Sequence, residues 1–259
     1  ADTSQLTEWA SDIPENAVKL AKAFWPGPFT LVLKRAARVS DLVTGGQDTV
    51  AIRVPSNLIA QQLLREFGGG IAAPSANRFG HVSPTSAAHV RDEFGDALLI
   101  VDGGDCEVGL ESTIVSCIDE VPRLLRPGGI SLSQLRAVVP EVSDVVSVDA
   151  PRAPGMLEKH YSPFTPILMV SSESLDSVVK DYVKSGERVA VLAMRAAPAM
   201  HPTLTWINAS DDPVSYGHSL YASLRALDKA DAKIIVVEQV PNDEQWQAVR
   251  DRLQRAAAT

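Results

Sequence analysis

Residues 167–194, ILMVSSESLDSVVKDYVKSGERVAVLAM, decide the fold class of this chain. An apolar run is followed by a helical pattern around Leu175 to Val183 and then by a second apolar run. The alternation continues with strand TLTWI, a helix from Pro213 to Asp231, strand KIIVVEQV and a helix from Glu244 to Ala258. Because such alternation is typical of parallel sheets, we predict a small, Rossmann-like, mostly parallel α/β domain over residues 166–259. It contains no GxGxxG, so dinucleotide binding is not indicated.

The composition is that of an ordinary globular protein. The chain has 259 residues, of which 45% are hydrophobic and 22% charged, and this length allows two domains. A formal net charge of -8 argues against a broad basic surface for nucleic acid. There is no apolar run of about 18 residues and no signal-peptide pattern, so we expect a cytoplasmic protein without a membrane span.

Cys106 and Cys117 are the two cysteines of the sequence. They form neither a CxxC pair nor any Cys/His ligand spacing, which predicts reduced, structural thiols and no metal site. A catalytic cysteine is the less favoured alternative. The sequence shows no convincing internal repeat.

Upstream of residue 140 the pattern predicts alternating helices and strands. The predicted elements are a helix at 12–24, strands at 30–33 and 49–55, a helix at 56–67, a strand ALLIVDGG at 97–104 and a short helix capped by Ser131 and Gln134. The helix at 56–67 is predicted to bury Ile59, Leu63 and Phe67 on one side and to end at Gly68. Asp102 is predicted to be a turn residue.

Residues 68–85, GGGIAAPSANRFGHVSPT, predict a ligand-binding loop. A short apolar strand runs into small residues, including Ser75 and Asn77, that let a ligand lie against backbone N–H groups. Ser83-Pro84 predicts the cap and first residue of a helix that ends at Gly95. A glycine-rich turn with a capping serine explains the same window equally well.

Three further polar groups stand near predicted strand ends. Arg53 lies among apolar neighbours in TVAIRVP, and its planar guanidinium suits a carboxylate or a phosphate, although it can also extend into solvent. Ser112 and Thr113 stand at the mouth of another strand, and Arg126 ends the strand RLLR. Repeated polar strand ends favour a shared pocket over isolated turn features.

Residues 141–165 are rich in Pro and Ser with little periodicity, which predicts a linker. Lys159, His160 and Tyr161 stand together in it, an unusual density of hydrogen-bonding groups for a passive connection. Chance surface composition is the alternative.

The segments AIRVP, APSAN followed by SPT, LEST, LLRPG and HYSP occur in this order. Together they closely resemble the L-threonylcarbamoyladenylate synthase family in its long form. The resemblance implies a YrdC-like catalytic domain, a twisted mixed sheet with helices, over residues 1–140. A linker or lid over 141–165 and the small α/β domain over 166–259 would follow.

The resemblance also implies an enzyme, a nucleotidyltransferase. It would form threonylcarbamoyl-AMP and pyrophosphate from L-threonine, bicarbonate and ATP, with Mg²⁺, for the t6A37 modification of tRNA. A downstream threonylcarbamoyl transferase and tRNA would be indirect partners. No catalytic residue is assigned, because the chemistry needs alignment and charge neutralisation rather than a covalent nucleophile.

Matching positions imply two sets of binding residues. The threonine set is Arg53, Ala73 and Ser112. The ATP set is Thr49, Ser75, Asn77, Ser83, Arg126, His160 and Tyr161, the last two reaching from the linker. Threonine's carboxylate suits the guanidinium of Arg53, and a triphosphate suits hydroxyls, N–H groups, a further Arg and Mg²⁺.

Family members carry a Thr-x-Tyr-Gly stretch and a Lys/Arg-rich motif upstream of the point where this sequence starts. We therefore expect the activity of these 259 residues to depend on that segment. Two other functions are compatible with the same module. One is a non-catalytic nucleotide- or RNA-binding module, and the other is a carbamoyl transferase of hydrogenase maturation, whose acylphosphatase-like and zinc-finger segments are not present in this sequence.

Overall fold

The structure is a computed structural model that describes residues 2–145, 151–152, 155 and 160–258. It divides into two units. Unit 1 comprises Ala1–Pro74 and Glu111–Met156, and unit 2 comprises Ser75–Leu110 and Leu157–Thr259. The predicted boundaries at residues 140 and 165 stay predictions. The structure adds that Ser75–Leu110 groups with the C-terminal unit.

The helices and strands follow one another in an α/β order. The elements up to residue 145 are α1 (Leu6–Trp9), α2 (Glu15–Phe24), β1 (Phe29–Lys34), α3 (Asp41–Thr44), β2 (Thr49–Ile52), α4 (Leu58–Phe67), α5 (Ala87–Phe94), β3 (Thr113–Ser116), β4 (Arg123–Arg126) and α6 (Leu132–Val138). Those after residue 160 are β5 (Ile167–Val170), α7 (Ser172–Lys184), β6 (Val189–Ala193), β7 (Leu204–Asn208), α8 (Pro213–Asp228), β8 (Ile234–Glu238) and α9 (Gln247–Ala257). Short 3-10 helices lie at Thr3–Gln5, Gly95–Ala97 and Glu244–Trp246.

Unit 1 contains a mixed sheet, as predicted. Its four strands lie in the order β2-β1-β3-β4. β1 pairs antiparallel with β2 and parallel with β3, and β4 pairs antiparallel with β3. In the parallel pair Phe29 is in register with Thr113, so the residues just before and after these positions lie side by side. The buried core of this unit includes Leu20, Leu31 and Leu135.

Unit 2 contains a four-stranded sheet in the order β5-β8-β6-β7, in which every pairing is parallel, which confirms the predicted domain type. Alternate residues of β6 face two separate cores. Ala190 and Leu192 pack in the cluster that includes Leu224 of α8, whereas Val191 packs with Leu175 of α7. Helices cover both faces, which explains why β6 is continuously apolar rather than alternating.

Two predicted strands do not form. Residues 70–75 and 98–102 carry no strand, and the side chain of Leu99 is 96% exposed. A strand requires a hydrogen-bonding neighbour, and the described residues supply none to either segment. Asp102 is a turn residue as predicted, because its Oδ1 accepts from the N–H of Gly104 at 2.9 Å.

The start of α5 also differs from its prediction. Ser86, rather than Ser83, caps the helix, since its side chain accepts from the N–H of His89 at 3.3 Å. The helix stops before Gly95 as predicted. Because Ser83 lies upstream of the first turn, its buried side chain belongs to the loop.

α4 ends at Gly68 in the left-handed conformation with φ of 70°, as predicted. Its apolar side, however, is not buried. The side chains of Ile59, Leu63 and Phe67 are 43%, 48% and 65% exposed, because no described strand or helix fully covers that face. The helical periodicity was therefore correct, but the expectation of burial was wrong.

Candidate functional site

The ten predicted binding residues divide equally between the two units. Unit 1 holds the whole threonine set, Arg53, Ala73 and Ser112, together with Thr49 and Arg126. Unit 2 holds Ser75, Asn77, Ser83, His160 and Tyr161.

Ser112 and Arg126 form a buried polar group in unit 1. Ser112 directly precedes β3, and Arg126 is the last residue of the antiparallel neighbour β4, so the sheet itself brings them together. Nη2 of Arg126 donates to the carbonyl oxygen of Ser112 at 2.9 Å and to its hydroxyl at 3.2 Å, and Nε donates to the same carbonyl at 3.2 Å. The two residues are 5% and 6% exposed. The structure thus joins a residue of the threonine set to one of the ATP set.

Thr30 of β1 completes this group. Its hydroxyl lies 2.7 Å from the hydroxyl of Ser112. In the parallel pairing of β1 with β3, Thr30 is in register with Ile114, two residues after Ser112, so Thr30 and Ser112 are diagonal neighbours across the two strands. The sequence analysis missed Thr30, although a lone hydroxyl in the apolar run FTLVL is the kind of signal that could have indicated it.

Gly128 is packed beneath the same backbone. A Cβ atom at this position would lie 2.4 Å from the Thr113 nitrogen and 2.6 Å from the Glu111 carbonyl oxygen. Thr113 is fixed as well, because its hydroxyl donates to the carbonyl of Ile130 at 2.8 Å. The turn after β4 therefore holds the segment that carries Ser112.

The other unit 1 residues are more accessible. Arg53 is exposed and follows β2, and its Nε donates to the carbonyl of Gly27 at 2.9 Å. That bond orients the guanidinium on the backbone of the turn that precedes β1. Thr49 is half-buried at the start of β2, opposite Lys34, and Ala73 is exposed. These positions are compatible with their predicted roles, which stay predictions.

The loop that begins at Ser75 is held by its own asparagine. Nδ2 of Asn77 donates to the carbonyls of Arg78 at 2.8 Å and His81 at 3.1 Å. The Oδ1 atom of Asn77 is buried without a hydrogen bond. Ser75 is exposed. A buried acceptor in a loop of small residues is a group that a donor on a ligand can satisfy.

Ser83 is 6% exposed and lies in a segment contacted by Arg225 of α8. Arg225 donates to the Val82 carbonyl oxygen, and its Nε lies 3.5 Å from the Ser83 carbonyl oxygen. Nη2 also donates to Glu93 Oε1 at 2.8 Å. No motif indicates Arg225 in the sequence, because it lies in an ordinary amphipathic helix far from the loop.

His160 and Tyr161 lie against the helices of unit 2. Tyr161 is 1% exposed, its ring stacks on Tyr221 with centroids 5.6 Å apart, and the guanidinium carbon of Arg252 lies 5.2 Å from its centroid. Its φ of 61° is unusual for a residue other than glycine. The ring of His160 packs edge-on against the ring of Tyr161, with the ring centroids 4.1 Å apart. Lys159, predicted with them, lies outside the described residues.

Cys106 is exposed and Cys117 is buried, and both are thiols rather than a disulfide. Burial raises the pKa of Cys117 to about 12, which suits a structural role. Within residues 2–145, 151–152, 155 and 160–258, no three His, Cys, Asp or Glu side chains are grouped to hold a metal ion. In the same part of the chain, no helix combines the length and apolar character needed to cross a bilayer.

Comparison with known proteins gives matches over both halves of the chain. A family model described as Telomere recombination, for Sua5, YciO and YrdC proteins, matches residues 1–128. A second, described as Threonylcarbamoyl-AMP synthase, C-terminal domain, matches residues 130–258. Together they account for nearly all of the sequence.

Individual relatives match over nearly the whole of this chain as well. The chain is 36% identical to a threonylcarbamoyl-AMP synthase of Pyrococcus abyssi, over 99% of this chain and 78% of the relative. It is 37% identical to one of Bacillus subtilis, over 99% of this chain and 77% of the relative. The crystal structure of P. abyssi Sua5 complexed with L-threonine superposes with a TM-score of 0.89 at 35% identity, over 99% of this chain and 78% of that one. A P. abyssi Sua5 variant with an adjacent histidine and tyrosine replaced by alanine gives 0.90 at 34% identity, over 99% of this chain and 77% of that one. The chain therefore belongs to the threonylcarbamoyl-AMP synthase family, whose members are nucleotidyltransferase-type enzymes.

Proposed function

We propose that this chain forms threonylcarbamoyl-AMP and pyrophosphate from L-threonine, bicarbonate and ATP. The observation that carries the proposal is the buried group of Ser112, Arg126 and Thr30. It joins a predicted threonine contact to a predicted ATP contact at one end of strands β1, β3 and β4. Family membership supplies the reaction, and the solved relative bound to L-threonine supports the amino acid substrate.

Threonine would bind to groups of unit 1. Arg53 would pair with the carboxylate, since a guanidinium donates two parallel hydrogen bonds to such a group. The Ser112 hydroxyl and the exposed backbone at Ala73 would orient the rest of the amino acid. Of these, Ser112 is held most firmly, because Thr30 and Arg126 fix its position.

ATP would bind to hydroxyl groups, an amide and a guanidinium. None of these side chains is a carboxylate that would hold a metal ion. Thr49, Ser75, Asn77, Ser83 and Arg126 are the proposed contacts, with His160 and Tyr161 closing over the nucleotide. Mg²⁺ prefers phosphate oxygens and water to an all-protein cage, so the residues fit an ion that arrives with the triphosphate. The only adjacent His-Tyr pair of the sequence is His160-Tyr161, and the altered pair in the P. abyssi variant supports its inclusion.

The chemistry follows from alignment. Threonine's amine combines with bicarbonate to give a carbamate and water. A carbamate oxygen then forms a bond to the α-phosphorus while the bond to the pyrophosphate oxygen breaks. Positive charge at the phosphates stabilises this transition state, and no enzyme nucleophile is required.

Pyrophosphate release tests the proposal. Joined to the upstream segment on which its activity is expected to depend, and supplied with MgATP and bicarbonate, the chain should release pyrophosphate with threonine and much less with alanine, which lacks the hydroxyl and γ-methyl groups. Ser112→Ala should lower kcat/KM for threonine, whereas Ser133→Ala, a matched change at an exposed serine of α6, should not. Equal release with alanine and threonine would contradict the assignment.

The same assay separates the alternative of a binding module. A non-catalytic module would bind tRNA tightly and with steep salt dependence in a filter assay, without releasing pyrophosphate. Hydrogenase-type carbamoyl transfer would form a carbamoyl-adenylate in the absence of threonine. The cytoplasmic location, and the indirect link to tRNA through a downstream transferase, stay predictions.

A further inference from the structure

We infer that Arg225 of α8 is a positioning residue for the nucleotide loop, which we define as Asn77–Ser83. The inference rests on the proposed function in assigning Asn77 and Ser83 to ATP. It assigns to the C-terminal helix α8 a role in the reaction that no sequence motif indicates.

The first support is the set of groups that Arg225 contacts. Its Nη2 donates to the carbonyl oxygen of Val82 and to Glu93 Oε1, the latter at 2.8 Å, and its Nε lies 3.5 Å from the Ser83 carbonyl oxygen. One planar guanidinium therefore joins two consecutive carbonyls of the loop to a carboxylate of α5. An ammonium group is a point charge and cannot reproduce this fork.

The second support is that Glu93 holds the other end of the same loop. Glu93 Oε2 accepts from the N–H of Arg78 at 3.3 Å and lies 3.2 Å from Nδ1 of His81. Burial raises the pKa of Glu93, but the hydrogen bonds from Arg225, Arg78 and His81 outweigh that effect, and the pKa lies below its ordinary value. The carboxylate is therefore ionised while it clamps the loop.

Burial makes this ion pair costly to break. The side chains of Arg225 and Glu93 are 12% and 9% exposed. Removing one partner of a buried pair leaves the other charge without compensation. Removing Arg225 would release the Val82 and Ser83 carbonyls and leave Glu93, which contacts Arg78 and His81, without its countercharge.

α8 also fixes the C-terminal end of the predicted linker, just after His160 and Tyr161. The carboxylate of Asp228 accepts from the N–H of Phe164 at 3.0 Å and of Thr165 at 2.7 Å, and the N–H of Ser162 donates to the carbonyl of Gly80 at 2.9 Å. The loop and the chain after Tyr161 are thus held by one helix. Within unit 2, α8 is the common support of the proposed ATP contacts.

A matched control lies one turn further along the same helix. Lys229 pairs with Asp92, the neighbour of Glu93, at 2.7 Å, but the two side chains are 69% and 48% exposed. Lys229, directly after the last residue of α8, thus contacts Asp92 of α5 rather than the loop. Lys229→Ala therefore removes a helix-to-helix ion pair and leaves the loop contacts in place.

The test compares Arg225→Ala, Arg225→Lys and Lys229→Ala by hydrogen exchange and by kinetics. Amide exchange within residues 77–83 should rise in Arg225→Ala, less in Arg225→Lys, and remain at the wild-type rate in Lys229→Ala. Because small misplacements of substrate-positioning groups are costly, kcat/KM for ATP should fall by about ten- to a hundredfold in Arg225→Ala. KM for threonine should stay within about twofold, since it reports groups outside the loop.

The outcomes separate this inference from the proposed function. A wild-type chain that carries the upstream segment and releases no pyrophosphate, while Arg225→Ala loosens the loop, contradicts the proposed function and, with it, the role of Arg225 in ATP use. Unchanged exchange in Arg225→Ala overturns the inference whatever the turnover, as does raised exchange with unchanged kcat/KM for ATP. Should Arg225→Ala fail to fold, Arg225→Lys and Glu93→Gln carry the same comparison.

Discussion

Arg126 binds the carbonyl oxygen and the hydroxyl of a single residue, Ser112, through Nη2 at 2.9 and 3.2 Å. A guanidinium held on a backbone carbonyl cannot rotate without losing that bond. The hydroxyl of Ser112 is in turn oriented by Thr30 at 2.7 Å. The pair is thus a preorganised polar group at the edge of the mixed sheet.

Ser112→Ala should destabilise the chain by about 1–2 kcal/mol, because the buried Thr30 hydroxyl and Arg126 Nη2 each lose a partner. Urea unfolding followed by circular dichroism measures this. Ser133→Ala at an exposed position should stay within about 0.5 kcal/mol of wild type. Equal midpoints for the two variants would show that the Ser112 contacts contribute nothing measurable.

Gly128→Ala should cost about 2–3 kcal/mol, since the new methyl would meet backbone atoms of Glu111, Ser112 and Thr113, at and just before the start of the paired strand β3. Gly69→Ala is the matched control, because its Cβ would approach only the Phe67 side chain, at 3.4 Å. Unfolding midpoints in urea decide between them. A Gly128→Ala variant as stable as Gly69→Ala would mean that the turn after β4 shifts freely.

His89 should make stability depend on pH. Burial, and after it the charge of Arg225, hold the pKa of His89 below its ordinary value of 6.5, and Nδ1 accepts from the N–H of Thr85 at 3.2 Å. The folded state therefore keeps a neutral ring where the unfolded state takes up a proton. Stability should fall as the pH drops through about 6.5 and level off below the folded-state pKa.

Thermal melts at pH 7.5 and 5.5 measure this dependence. The drop in Tm should be smaller in His89→Asn than in wild type. His201→Asn, at an exposed histidine, should keep the wild-type drop. An identical drop in all three proteins would exclude His89 as the source.

Glu238 should tolerate an amide but not truncation. It is 4% exposed, and its oxygens accept from the Ser172 hydroxyl at 2.6 Å and the Met194 N–H at 2.8 Å, which ties together the carboxyl ends of β8 and β6 and the start of α7. Glutamine can accept from Met194 and donate to Ser172, so Glu238→Gln should cost less than about 1 kcal/mol. Glu238→Ala should cost about 2–4 kcal/mol, because it leaves the N–H of Met194 without its acceptor and opens a cavity. Equal costs in urea unfolding would contradict this account.

The sequence was most informative where local and tertiary preferences agree. The apolar runs and helical patterns after residue 166 correctly predicted every strand of the parallel sheet, because a sheet covered on both faces needs continuous apolar strands. Ser112 and Arg126 stood out in the sequence as polar residues at strand ends, and the structure joins them by hydrogen bonds, while their binding roles stay predictions. The capping box of Ser131 and Gln134 is present as predicted.

Predictions that depended on contacts with residues far away in the sequence were less accurate. Ile71 and Leu99 lie in runs with strand character, but strand formation needs a neighbouring strand that periodicity does not identify. The face of Ile59 and Leu63 is apolar without being covered. Arg225 could not be predicted, because its role comes from a fold that brings it to a loop 142 residues away in the sequence.

The grouping of Ser75–Leu110 with the C-terminal half has a consequence for how this chain can be divided. A cut at residue 128, where the first family match ends, separates Glu93 from its guanidinium partner on α8. The fragment that keeps the loop would then lack the guanidinium of Arg225. The carboxylate of Glu93 and the carbonyls of Val82 and Ser83, which bind that guanidinium in the intact chain, would be exposed. The units of the fold therefore do not coincide with the segments that the two family models match, and the loop Asn77–Ser83 needs residues from both of those segments to keep its shape.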